Sequence, residues 1–219
     1  MKKLLICSII ALICAFVGCS QRQTELSQKD KNLVSVTGIP EPILLKMKQA
    51  GENIRQFEPE GYNSDSSNEL PSGITINVKY TKSVATVHQL QESVGLEYFV
   101  FISERNYGMH GNPDHITLLK TSDPYDALRI MQTNGTNYDI DTDTLIARLK
   151  EWDKRFGIKI QGASGDWVEA EFIHQPTDMM EFAKEVYKFC PDVVDQGTET
   201  VEKLASEMKD NNTLYLWWD

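Results

Sequence analysis

Basic side chains are scarce in this sequence. The 219 residues carry 22 Lys and Arg against 32 Asp and Glu, a formal charge of −10 at pH 7. Nucleic-acid-binding proteins need clustered Lys and Arg to displace counterions from phosphates, so this balance argues against a nucleic-acid partner. A net negative charge is better suited to a basic protein partner. The apolar share of 41% argues against wholesale disorder, and the length allows one domain with or without a tether.

The familiar catalytic and cofactor motifs are missing. The sequence contains no Walker loop, G-x-G-x-x-G, G-x-S-x-G or CxxC pattern. We therefore expect no cofactor, and no reaction is indicated. His110 and His115 lie close together in sequence, but neither a third ligand nor a cysteine pair accompanies them. We predict exposed histidines and no metal site here.

Asp139, Asp141 and Asp143 are spaced like the start of an EF-hand calcium loop. That loop needs glycine at its sixth position and glutamate at its twelfth, where this sequence has Thr144 and Lys150. Capping of the following helix explains the aspartates better.

The first 18 residues have the layout of an export signal. Lys2 and Lys3 precede an apolar or small run from Leu4 to Gly18, shorter than the roughly 20 apolar residues that span a bilayer as a helix. The run ends in Phe16-Val17-Gly18-Cys19, which resembles the lipobox of bacterial lipoproteins. This resemblance implies cleavage before Cys19 and a lipid on its sulfur. The alternative is an ordinary secretory signal in which Cys19 is incidental.

The lipobox resemblance also implies a location. A lipid on Cys19 would hold the protein on a membrane of the cell envelope, and Ser20 favours the outer membrane by resemblance to sorting in enteric bacteria. Cys7 and Cys14 would leave with the signal, so Cys190 would be the one thiol in the mature chain. A single thiol cannot form an internal disulfide, and we expect it to be buried.

The rest of the chain divides into a tether and a domain. We interpret residues 19–72 as a polar tether with one short helix and a loop, and residues 73–219 as a single α+β domain. From Gly73 the apolar periodicity predicts the order β-α-β-β-α-α-β-β-α-α-β, with Thr198 as the cap of the last helix. This order predicts an antiparallel or mixed sheet with helices mainly on one face. The second half alone could close as a split β-α-β unit.

Three short motifs occur together near the C-terminus. They are Phe189-Cys190-Pro191-Asp192, Gln196-Gly197-Thr198 and Trp217-Trp218-Asp219. The combination resembles the bacterial domain-of-unknown-function family numbered 4253, over about residues 110–219. The resemblance implies a fold and a domain boundary, but no established activity.

These motifs contain the candidate site residues. The carboxylates of Asp192, Asp195 and Asp219 could converge near a helix N-terminus, where crowding would raise some pKa values and suit acid–base chemistry or a cation. Together with Cys190 they are the candidate catalytic residues. The simpler alternative is that they cap a helix and anchor the chain terminus. The candidate ligand- or partner-binding residues are Gln196, Gly197, Thr198, Trp217 and Trp218.

Taken together, these features predict a lipid-anchored bacterial envelope protein that binds a partner and does not catalyse a reaction. Its acidity would suit a basic protein, including a toxin that it neutralises. The alternative is a hydrolase-like enzyme that uses the acidic cluster near the C-terminus.

Cys19→Ser should abolish lipid labelling and move the protein from the membrane fraction to the soluble fraction, because the lipid would be carried by that sulfur. Metabolic labelling with a fatty acid and membrane fractionation measure the two effects. Cys14→Ser, within the signal, is the matched control and should leave both unchanged. Full membrane retention of Cys19→Ser would contradict the lipoprotein interpretation.

Overall fold

A computed structural model describes residues 26–59 and 71–219. The predicted export signal and Cys19 lie outside the described residues. The helices are α1 (Gln28–Thr37), α2 (Glu41–Ala50), α3 (Ser83–Val94), α4 (Tyr125–Met131), α5 (Thr142–Phe156), α6 (Met179–Phe189) and α7 (Val201–Asn211). None of the described helices is long and apolar enough to cross a membrane.

The strands are β1 (Glu52–Gln56), β2 (Gly73–Val78), β3 (Phe99–Glu104), β4 (Asp114–Leu119), β5 (Ile158–Ala163), β6 (Trp167–Phe172) and β7 (Thr213–Trp217). From Gly73 onward, the order of strands and α-helices is the predicted one. A π-helical turn, Val193–Thr198, is added between α6 and α7. Local periodicity was sufficient for this part of the chain because each apolar stripe belongs to one element.

Within the described residues, the strands form one sheet in the order β1-β2-β4-β3-β5-β6-β7. Neighbouring strands are antiparallel except β3 and β5, which are parallel. The α+β class and the mixed sheet are therefore confirmed. A split β-α-β unit occurs in the first half, where α3 joins β2 to β3 and β4 lies between them. It does not occur in the second half, because β7 pairs directly with β6 and no strand separates them.

The helices pack on both faces of the sheet and not mainly on one face, as was predicted. The face that carries α1, α2 and α3 is called the first face, and the face that carries α4 to α7 is called the second. Adjacent residues of β3 explain the difference: Ile102 joins the first-face core with Leu44, and Phe101 joins the second-face core with Trp152. A central strand that is apolar on both sides needs helices on both faces.

The sheet and its first-face core begin upstream of Gly73, in the segment interpreted as a tether. Ser27 and Asp30 form a capping box that starts α1, a polar helix that buries Leu33. In α2, Leu44 is fully buried against the sheet. Finally, β1 adds an antiparallel strand at the edge beside β2. The folded unit therefore includes residues that have little apolar periodicity of their own.

Gly162 lies at the parallel junction between β3 and β5, paired with Ile102. A Cβ atom at this position would lie 2.8 Å from the Trp167 ring and 3.1 Å from the backbone oxygen of Ile102. Both distances are shorter than ordinary carbon contacts, so the junction requires a residue without a side chain.

Gly162→Ala should lower the free energy of unfolding by about 1–3 kcal/mol, because the added methyl group overpacks the junction. Gly165→Ala is the matched control, since a Cβ atom there would have no atom within 4 Å. Urea unfolding followed by tryptophan fluorescence measures both variants. Equal stability of the two would contradict the close approach at Gly162.

Candidate functional site

A cleft of about 790 Å³ opens on the first face over β6 and β7. The helices α1, α2 and α3 pack on the β1 to β4 side of the sheet and leave this region open. The lining side chains come from the loop after β3, from β6 and β7, from α3 and the turn before it, and from α7 and the π-helical turn. The lining includes four aromatic side chains, which are Tyr80, Tyr107, Tyr215 and Trp217.

Strand alternation places two of these aromatic residues. Successive side chains of β7 point to opposite faces of the sheet. Tyr215 and Trp217 therefore reach the first face, whereas Leu216 and Trp218 are buried in the second-face core. The same alternation in β6 puts Glu169 beside them in the cleft.

Arg105 forms the charged floor of the cleft. Its side chain is only 6% exposed and donates hydrogen bonds to Glu169 and, across 3.4 Å, to Oδ2 of the fully buried Asp114. Burial acts to lower the pKa of Arg105, but Glu169 and Asp114 raise it above its ordinary value. The guanidinium thus stays charged and joins β3, β4 and β6, which fixes the position of its neighbours.

The tyrosines are arranged around this guanidinium. The rings of Tyr80 and Tyr107 each have their centre 6.0 Å from Cζ of Arg105, and the two ring centres are 5.8 Å apart. The Tyr107 hydroxyl donates to the Tyr215 hydroxyl at 3.0 Å, and Tyr215 stacks on Trp167. Burial, and then this hydrogen bond, raise the pKa of Tyr215, so its hydroxyl remains protonated at neutral pH. The aromatic wall is therefore pre-organised.

Negative charges outnumber positive ones in and beneath the cleft. Glu169 and the exposed Glu207 line it, and Asp114 lies beneath Arg105. Asp166 lies near enough to contribute to the raised pKa of Tyr215. Aromatic faces beside carboxylates form a surface that attracts cations.

The predicted ligand- or partner-binding residues separate into two groups. Gly197, Thr198 and Trp217 line the cleft. Gln196 does not line the cleft, and its Nε2 donates a hydrogen bond to Asp192 at 3.1 Å. Trp218 lies in the second-face core. The structure therefore brings three of these five residues together at one surface.

Thr198 does not cap the last helix as predicted. The cap of α7 is Thr200, whose hydroxyl accepts a hydrogen bond from the Lys203 backbone N–H at 3.2 Å. Thr198 ends the π-helical turn instead, and its hydroxyl donates to the carbonyl oxygen of Val193. The wide turn brings Gly197 beside the indole of Trp217.

Asp192 anchors the end of the chain. Its side chain accepts hydrogen bonds from the Tyr138 hydroxyl, from Gln196 Nε2 and, at 3.0 Å, from the backbone N–H of Asp219. Nδ2 of Asn137 donates a hydrogen bond to the backbone oxygen of Asp219. Burial acts to raise the pKa of Asp192, but these hydrogen bonds lower it below its ordinary value. The crowding predicted from the sequence thus does not raise the pKa of this carboxyl group.

The remaining candidate catalytic residues have separate surroundings. Asp195 is exposed and accepts a hydrogen bond from the Tyr187 hydroxyl at 2.8 Å. Cys190 is fully buried, its Sγ donates to the Trp217 carbonyl oxygen at 3.0 Å, and burial raises the pKa of the thiol to about 12. A thiol that stays protonated is a poor nucleophile.

One of the aspartates that resemble a calcium loop caps a helix. Asp141 is the N-cap of α5 and accepts a hydrogen bond from the Thr144 N–H at 2.7 Å, which lowers the pKa of its carboxyl group. Across residues 26–59 and 71–219, no group of three or more His, Cys, Asp or Glu side chains could hold a metal ion.

Arg105, Glu169 and the three cleft tyrosines were not predicted from the sequence. A partial signal was present, because Glu169 interrupts the apolar strand β6 and Tyr215 precedes Trp217 by two positions, on the same face of β7. Arg105 and Tyr107 lie in a loop, where the spacing of residues does not indicate which way their side chains point.

Comparison with known families matches the C-terminal part of the chain. Residues 115–219 match the family described as Domain of unknown function (DUF4253). The DUF4253 segment begins in β4 and includes Glu169, Asp192 and Trp217, whereas Tyr80 and Arg105 precede it. The cleft therefore combines residues of the DUF4253 segment with residues upstream of it. No curated protein and no solved structure matches the chain.

Asp192→Asn should lower the free energy of unfolding by about 1–3 kcal/mol at pH 7, because the amide puts a donor where the buried carboxylate accepts a hydrogen bond. The folded-state pKa of Asp192 lies below the ordinary value of 3.8. The advantage of the wild-type protein should therefore be complete above that value and disappear as the pH falls through the lower folded-state pKa.

Urea unfolding between pH 7 and strongly acidic pH measures this difference. The exposed Asp195→Asn is the control and should change stability little. A loss that is equal in both variants, or that persists unchanged in acid, would contradict the anchoring role of Asp192.

Proposed function

We propose that the protein is a lipid-anchored binding protein of the bacterial envelope and that the cleft over β6 and β7 is its ligand site. The lipobox resemblance at Cys19 supports the anchor, and Ser20 supports the outer membrane as its location. The binding activity is inferred from the cleft itself, since the DUF4253 match carries no activity.

The observation that carries the proposal is an aromatic wall held in place by a buried ion pair. Tyrosine, tryptophan and arginine are the side chains that contribute most to binding at protein interfaces. Tyr107 and Tyr215 are joined by a hydrogen bond, and Arg105 is fixed by two carboxylates. Since these side chains are ordered before a partner arrives, little conformational entropy is lost on binding.

The charge of the cleft favours a basic protein partner. A Lys or Arg side chain entering the cleft would meet the carboxylates of Glu169 and Glu207 and the faces of Tyr215 and Trp217. Loss of Lys2 and Lys3 with the signal would take the net charge from −10 to near −12, which strengthens long-range attraction of a cation. A basic toxin that the protein neutralises would be one such partner.

The surroundings of Asp192 and Cys190 favour binding over the hydrolase-like alternative. Asp192 is only 2% exposed and accepts three hydrogen bonds from the protein, and the thiol of Cys190 is buried and protonated. A general base or nucleophile needs a free electron pair that can reach a substrate.

The protein should bind a lysine-rich peptide and not a glutamate-rich peptide of the same length, in a salt-sensitive manner. Glu207→Gln should weaken this binding about 2- to 5-fold and reduce its salt dependence, since one exposed charge pair contributes up to about 1 kcal/mol. Titration calorimetry of the detergent-solubilised protein measures both.

Glu202→Gln is the matched control, because Glu202 is exposed on the same helix but does not line the cleft. Equal effects of the two substitutions, or equal binding of the two peptides, would contradict the proposed site. Capture from an envelope extract with wild-type and Glu207→Gln protein would then identify the natural partner as the protein that the variant loses.

A further inference from the structure

A second hollow, of about 530 Å³, lies on the second face of the sheet, away from the cleft. It lies over β1, β2, β4 and β3, on the side of the sheet away from β6 and β7. Its lining includes Arg55, Glu58, Thr75, Ser103 and His115. Polar residues thus replace the apolar side chains that cover the rest of this face.

A row of three hydroxyl groups lies at the base of the hollow, where Thr75 and Ser103 line it and Thr117 is buried between them. Thr117 is fully buried at the centre, with its Oγ1 at 2.8 Å from Oγ1 of Thr75 and at 2.7 Å from Oγ of Ser103. The three groups have three hydrogens: the two bonds within the row use two of them, and the third goes either to the backbone oxygen of His115, 3.5 Å from Oγ of Ser103, or to a ligand. Because hydroxyl groups rotate, the row can present either a donor or an acceptor to a ligand.

A β-bulge brings further polar groups to the rim. Ile102 pairs with Ile116 and Glu104 pairs with His115, so Ser103 is the extra residue of β3. Bulges change the direction of side chains and are frequent beside functional sites. Here the bulge puts the Glu104 carboxylate 2.5 Å from Nδ1 of His115.

This contact determines which ring nitrogen can accept a hydrogen bond. A neutral imidazole that donates from Nδ1 has its lone pair on Nε2. Burial lowers the pKa of His115, and the charge of Arg55 acts in the same direction, whereas Glu104 and Asp114 oppose it. The net pKa is below the ordinary 6.5, so the ring is neutral at pH 7.

The charges around the hollow select against charged ligands. Arg55 contributes one positive charge, and Glu58 and Glu104 contribute two negative charges at the same rim. A ligand of either sign would meet a group of its own sign. Hydroxyl groups both donate and accept, so they match a surface on which donors and acceptors alternate.

We propose that this hollow binds a neutral, hydroxyl-bearing small molecule of the sugar class, which donates to His115 Nε2 and exchanges hydrogen bonds with the hydroxyls of Ser103 and Thr75. The site does not depend on the lipid anchor or on a partner in the cleft over β6 and β7. Failure of either proposal therefore leaves the other standing.

The test is a titration of the ¹⁵N-labelled full chain, in a phosphocholine detergent that carries no sugar, with glucose, N-acetylglucosamine and glycerol. Concentrations up to about 50 mM detect dissociation constants in the millimolar range. At least one probe should give saturable shifts of the Ser103, His115 and Thr117 amide signals. These shifts should weaken only as the pH falls through the folded-state pKa of His115, which lies below 6.5, because the protonated ring cannot accept at Nε2.

His115→Phe should weaken binding at least about 5-fold, the loss expected when one hydrogen bond of about 1 kcal/mol is removed. Ser103→Ala provides a second, smaller change in the same site. The exposed His110→Phe is the matched control and should bind like the wild-type protein. Absence of saturable shifts with all three probes, saturation at the cleft over β6 and β7 instead, or binding unaffected by both site variants would overturn the proposal.

Discussion

The arrangement of the sheet and of the helices that cover it depends on one parallel strand pairing. β3 and β5 are the parallel neighbours in the described sheet, and they meet where Gly162 lies against Ile102 without a side chain between them. This pairing joins a split β-α-β unit to an antiparallel group of three strands. Each part is covered by helices mainly on one face, and the two covered faces are opposite. The cleft over β6 and β7 and the hollow over the hydroxyl row therefore open on opposite sides of the molecule.

Arg105 extends this junction toward the cleft. Arg105 directly follows β3, and its guanidinium forms ion pairs with Asp114 of β4 and Glu169 of β6. Buried charges are costly unless each has a partner, so the three strand ends must be held together for the ion pairs to persist. The tyrosines around the guanidinium are positioned by the same network. A pairing that organises the sheet thus also organises the aromatic wall that we propose as a binding surface.

Local sequence signals were sufficient for the elements from Gly73 onward and for the cap of α5 at Asp141. They were insufficient for α1 and β1, because α1 is mostly polar and is stabilised by a capping box and by tertiary burial of Leu33. They also misplaced the split β-α-β unit, since the spacing of apolar residues does not report which strands are neighbours. For the candidate site, three predicted residues line the cleft, but its charged floor was missed.

The sequence by itself determined the acidic charge, the α+β class and the order of most elements. Periodicity, caps and composition act between residues a few positions apart and need no knowledge of the fold. Only the tertiary structure decided which side chains share a surface. The hydrogen bond between Tyr107 and Tyr215 joins residues 108 positions apart, and the anchoring of Asp219 by Asp192 depends on where β7 enters the sheet. Such contacts follow from strand order, which is set by the packing of the whole core.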